Sequence, residues 1–73
     1  MSATDESPEL RLLFHRLNNQ LGIILAHAEL LETKAADEMN RARAAQVVTS
    51  ALDAMGTIRE IRSAQARAAA QNL

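Results

Sequence analysis

His15 and Asn19 stand four residues apart in the stretch FHRLNNQLGIILAHAELLE, with Arg16 and Asn18 between them. Four residues are close to one helical turn, so on a helix the imidazole and the Asn19 amide share a side, and Asn18 flanks them. A neutral, accessible imidazole nitrogen can act as a nucleophile, and an ordinary histidine is largely neutral at pH 7. An amide one turn away can donate to a phosphoryl oxygen or orient a water. A lone exposed histidine is also commonly a mere surface residue, so spacing by itself leaves both possibilities open.

The remaining chemistry-bearing groups are poorer in pattern. His27 lies twelve residues beyond His15, about 18 Å along a helix and on a different face, so one chain cannot clamp a metal with the pair. His27 reads as a boundary residue beside an apolar face. Ser50 and Ser63 have no histidine base at a helical spacing, which leaves a hydrolase unsupported. No pair of carboxylates converges, Met39 and Met55 read as packing residues, and no cofactor is expected.

The elements that must position His15 are legible from caps and periodicity. Ser7, Pro8 and Glu9 read as an N-cap, a proline at the first helical position and an acid in the first turn. A helix is expected over 8–34, closed by Lys34, with residues 1–7 a flexible N-terminus. The connection is placed at 33–37. Asp37 caps a second helix over 38–69, in which Gly56 is either a close helix contact or a tolerated weak point.

The composition agrees with helices and excludes several classes of function. One aromatic residue, two glycines and one proline among abundant Ala, Leu, Arg and Glu leave little scope for strands. The net charge is −1 and the arginines are interleaved with acids, which disfavours nucleic acid. The apolar run Leu21 to Ala26 is far short of the roughly 20 residues needed to span a membrane. The acidic start lacks the basic flank of a signal peptide, so a cytoplasmic location is expected. Seventy-three residues without cysteine make a marginal core, and oligomerisation is the remaining support.

Helical phase says which faces want burial. Advancing about 100° per residue from His15 puts Leu10, Leu13, Leu17, Leu21, Ile24, Ala28 and Leu31 opposite it. Phe14 and Leu25 extend that face on one flank, and Leu12, Ile23 and Leu30 form a second row on the other. Only Arg11, His15, Asn18, Asn19, Gly22, Ala26 and Glu29 make a polar or small strip. The second helix has a narrower arc: Ala44, Val48, Ala51, Leu52, Met55 and Ile58. A first helix apolar over so much of its circumference must touch more than one neighbour. The expected fold is therefore all-α, an antiparallel two-helix hairpin that homodimerises into a four-helix bundle.

His15-Arg16-Leu17-Asn18-Asn19-Gln20-Leu21-Gly22-Ile23-Ile24 resembles the phosphoacceptor box of two-component sensor histidine kinases, and Ala26-His27-Ala28-Glu29-Leu30-Leu31 looks like its "GYAELL" ending. The likeness is specific in the first helix and generic in the second. It implies that His15 accepts a phosphoryl group and exchanges it with the aspartate of a response-regulator receiver domain. It implies for Asn19 a phosphatase-like role, positioning water against the receiver's acyl phosphate, with Asn18 a bordering polar contact. Arg16 replaces the acid that follows the histidine in many members and matches the His-Arg-x-x-Asn of the HWE-type branch. The family's homodimeric hairpin agrees with the assembly argued from apolar faces.

These residues hold no glycine-rich nucleotide box, so autonomous phosphorylation from ATP is not expected. Two readings follow: a separate kinase or ATPase module supplies the phosphoryl group, or a catalytically silent helical dimer keeps only dimerisation or regulator docking. An unrelated helical dimer with an incidental His-Asn strip is the third.

Overall fold

The computed structural model describes residues 7–71, and the segment expected to be flexible lies outside them except for Ser7. Two helices account for nearly all of this stretch: α1, Pro8–Lys34, and α2, Glu38–Gln71. They pack side by side in a single layer, with Cα extents of 55 × 19 × 10 Å. Helix α2 ends at Gln71 rather than at 69, an extension that its alanine-rich end favours through propensity alone.

Each helix starts as its cap dictates. The Ser7 side chain accepts from the Leu10 amide at 3.0 Å, and Pro8 fills the first helical turn. Asp37 does more at the start of α2. Its Oδ1 accepts from the Asn40 amide at 2.8 Å and its Oδ2 from the Asn40 side chain at 3.1 Å. Between the helices Ala35 is extended, at φ −63° and ψ 133°, which breaks α1 cleanly. Arg41 ties this corner: one guanidinium nitrogen donates to the Ala35 carbonyl at 3.2 Å and the other pairs with Glu38 at 3.2 Å.

The seam between the helices repeats every seven residues. Phe14, Leu21 and Ala28 line it on α1, continued by Ala35 just past the helix end; Ala44, Ala51 and Ile58 line it on α2, all buried or half-buried. Such a repeat keeps one stripe facing the partner helix along its length, and alanine at three buried positions lets the backbones approach closely. Asn18, Leu25 and Glu32 on α1 and Val48 and Met55 on α2 close one flank, each half-buried. At the open end the Arg62 guanidinium lies over the Phe14 ring, 5.5 Å from its centroid.

Several expectations about faces are corrected by this seam. Phe14 is its centre and not the edge of a face, because it heads the seven-residue series that α2 reads. Asn18 was expected on the His15 strip; 100° beyond Leu17 it turns to α2 instead and is half-buried. Leu52 was expected inside and is 51% exposed, while Met39, expected to pack, is 66% exposed, with an Arg43 guanidinium nitrogen 3.8 Å from its sulfur. The row Leu13, Leu17, Ile24 and Leu31, whose burial was expected from a second neighbour, is exposed in the single hairpin, which leaves that expectation as it stood. Gly56 is no close contact: a Cβ there would meet only the Arg59 side chain, at 3.8 Å.

A core of Phe14, Ala28, Ala44, Ala51 and Ile58, with no large side chain fully buried among the described residues, is small for an independent domain. No helix among the described residues is long and apolar enough to cross a membrane.

Candidate functional site

The hairpin has two unlike sides, and elementary symmetry sorts residues between them. Two antiparallel helices are related by a twofold axis normal to their common plane, which exchanges the helices and preserves the side. Residues that follow a seam residue by one therefore project to one side from both helices. Residues that follow by three project to the other.

The second set is Leu17, Ile24 and Leu31 from α1 and Val47, Ala54 and Ile61 from α2. All are aliphatic or alanine, and the five large ones are 41–65% exposed. Polar residues edge this strip along its outer margins, Gln20 and His27 on α1 and Ser50 and Thr57 on α2, all exposed, and charged ones join at the loop. There Leu31, Ala44 and Val47 wall an open groove of about 370 Å³ with Asn40 and Arg43 at its rim.

The first set is His15 and Gly22 with Glu29 on α1, and Ala45, Leu52 and Arg59 on α2. His15 and Asn19 are both exposed and one turn apart, so the structure brings together the imidazole and the amide singled out by spacing. It separates the other two candidates. Asn18 turns into the seam, where it makes no hydrogen bond to a described residue. Arg16 turns outward, to the face of α1 away from α2. The exposed Leu12, Ile23 and Leu30 share that outer face, so Leu12 and Ile23 border the His15 and Asn19 pair.

Two cations join this site: Arg11, which helical phase already puts on the strip, and Arg59, which no spacing within α1 could single out. Arg11 precedes His15 by one turn, and Arg59 follows Ile58 as His15 follows Phe14. Phe14 and Ile58 are both buried near the open end of the seam, and Arg62, one turn beyond Ile58, reaches Phe14. Arg59 is thereby level with the start of the His15 strip and on its side. Its signal in the sequence was present but indirect, since the registry of α2 on α1 had to be known first. Neither arginine makes an ion pair or hydrogen bond among the described residues.

The site is an open helix face and no cleft. The loop groove lies on the other side from His15, and nothing in its lining combines a nucleophile with a base. Among the described residues no three His, Asp or Glu side chains gather to hold a metal. Both glycines are helical, and none of the described glycines has a positive φ, so neither forms a phosphate-cradling turn. What the face can do is present a nucleophilic nitrogen, one amide and two guanidinium groups to a partner that brings the rest of the chemistry. No protein-family model, curated protein or solved structure matches the chain.

Proposed function

We propose that this chain is a dimerising phosphoacceptor module of the two-component type, in which His15 receives a phosphoryl group and passes it to the aspartate of a receiver domain. The observation that carries the reading is the placement of His15. The ring stands exposed on the polar side of a rigid helix, with the Asn19 amide one turn along and an apolar side facing the opposite way. Phosphoryl transfer depends chiefly on positioning and on charge stabilisation, which a helix face supplies without a pocket. The resemblance of the stretch around His15 to the phosphoacceptor box supports the same reading.

The second copy belongs on the apolar side. Leu17, Ile24 and Leu31 with Val47 and Ile61 form a continuous aliphatic strip, and the hairpin buries too little by itself to stand alone. Joining two such strips encloses them in a four-helix bundle and leaves both His15 rings outward. The phosphoryl group then comes from a nucleotide-binding module outside these residues.

The test is incubation with phosphorylated receiver domains. Wild type is expected to acquire an acid-labile, base-stable phosphate that His15→Gln does not. Equal labelling of the two proteins rejects the phosphoacceptor role. One observation favours a second reading, a silent docking module: Leu12, Ile23 and Leu30 are 65%, 59% and 54% exposed on the outer face beside the site. Receiver binding that depends on Leu12 and Ile23, with no phosphoryl exchange, would select it.

A further inference from the structure

The phosphoacceptor reading leaves unexplained why the polar side of the hairpin is cationic at the level of His15. A phosphohistidine carries two negative charges on its phosphoryl oxygens, and an exposed ring nitrogen offers them nothing but water. Arg11 on the same helix is one turn toward the N-terminus, so its guanidinium can reach the space over the ring. Arg59 is the counterpart of His15 on α2. Each immediately follows a buried seam residue, Ile58 and Phe14, and each is exposed.

Resting on the phosphoacceptor reading, we propose that Arg59, assisted by Arg11, is the cationic grip for a phosphoryl group on His15. The site is thus built across both helices and not on α1 alone. A helical side chain leans toward the N-terminus of its own helix, which for α2 is the loop end. Arg59 therefore extends from the level of Phe14 along the His15 and Asn19 strip. Its Nη2 lies 3.8 Å from where a Cβ on Gly56 would stand, so the guanidinium lies back along α2 toward the loop end. Arg59 is without an ion pair among the described residues, and swinging it to a phosphoryl oxygen breaks no salt bridge. The planar fork can donate two parallel N–H bonds to one phosphoryl group.

Phosphoramidate is a donor that needs no cognate protein and isolates the grip from receiver docking. The unprotonated ring nitrogen of His15 attacks phosphorus, the donor's P–N bond breaks and ammonia leaves from the zwitterionic donor. The proton on the other ring nitrogen passes to solvent, leaving a neutral ring with a dianionic phosphoryl group. Arg59 binds the oxygens throughout and exchanges no proton.

The experiment follows phosphohistidine formation by phosphorus NMR and intact mass on the full chain, with His15→Gln as the blank. Arg59→Gln is expected to slow labelling of His15 about tenfold, the loss of one charge-assisted hydrogen bond. Arg59→Lys, which keeps the charge and loses the fork, should restore part of the rate, Arg11→Gln should have the smaller effect, and helicity and melting should stay as in wild type. Labelling of His15 at the wild-type rate in Arg59→Gln overturns the grip while leaving the phosphoacceptor reading intact. Equal slowing in Gln and Lys variants with a lowered melting temperature assigns Arg59 a structural role and also overturns it. No labelling of wild-type His15, under conditions that label free histidine, removes the reading and the grip together.

Discussion

The aliphatic side of the hairpin and its His15 side are built from the same two helices, at the same levels, and differ only in which residue follows the seam. Three places after Phe14, Leu21 and Ala28 come Leu17, Ile24 and Leu31; one place after them come His15, Gly22 and Glu29. The residues three places on offer only area, while those one place on include His15, Glu29 and Arg59, whose hydrogen-bonding and charged groups are exposed. On the proposed reading, stability and chemistry fall to opposite sides of a layer only two helices wide. A change on either side should register in one kind of measurement and be silent in the other.

The sharpest way to break this division is a charge in the aliphatic strip. Leu17→Asp sets a carboxylate where the second copy should press, and an unpaired buried charge costs roughly 3 kcal/mol or more. Because the hairpin's own core is slight, the expected outcome is loss of the two-copy species together with most of the helicity. Light scattering and circular dichroism at micromolar concentration read both. Wild type should weigh about twice its chain mass of 8.0 kDa, and a stable wild-type monomer would dissolve the comparison at its root.

A second variant strikes the seam that both sides share. Phe14 is 8% exposed and is the single aromatic residue in the chain. Phe14→Ala removes it from the α2 contact and takes the surface on which Arg62 lies. A loss of about 3 kcal/mol is expected, at the low end for a large-to-small change because the end of the seam is open and can close up. Thermal melting measures it. The two-copy mass should survive below the transition, which distinguishes a seam defect from an interface defect.

Asn18 decides where the boundary between seam and site runs. It is half-buried beside Phe14 and Leu21 and has no hydrogen bond to a described residue. Asn18→Leu should therefore stabilise the hairpin by about 1 kcal/mol, the gain from part-burying an aliphatic side chain in place of an amide. Denaturant melts would show it as a raised midpoint. If the same variant loses phosphoryl exchange at unchanged stability, Asn18 belongs to the site after all.

Asn18 also marks the line between what is legible in the sequence and what is not. The caps were plain, since Ser7 before Pro8 and Asp37 before Glu38 each leave one sensible helix start, and both caps form as read. The two-helix hairpin followed from them. Which face of α1 meets α2 did not follow, because α1 has apolar residues in three rows and any of them could have served. The choice fell to the row in phase with α2's buried Ala44 and Ala51, and that is a property of the pair. Asn18, Leu52 and Arg59 were misread or missed for this reason. His15 and Asn19, one turn apart on one helix, needed no partner to be placed together.

The smallest effect expected is the most discriminating for the division itself. His15→Gln combined with Asn19→Asp alters both reactive groups on the polar side, yet neither residue is buried or touches α2 through a hydrogen bond. Surface substitutions of this kind stay within about 0.5 kcal/mol, so the melting midpoint and the two-copy mass should be those of wild type while phosphoryl labelling vanishes. Were the double variant to melt appreciably earlier, the polar side would be holding the fold together. The exposed imidazole would then need a structural explanation, such as burial against a second copy that covers this side and leaves the aliphatic one bare. Light scattering on the same sample separates the cases, because an interface on the His15 side predicts dissociation and a purely local strain does not.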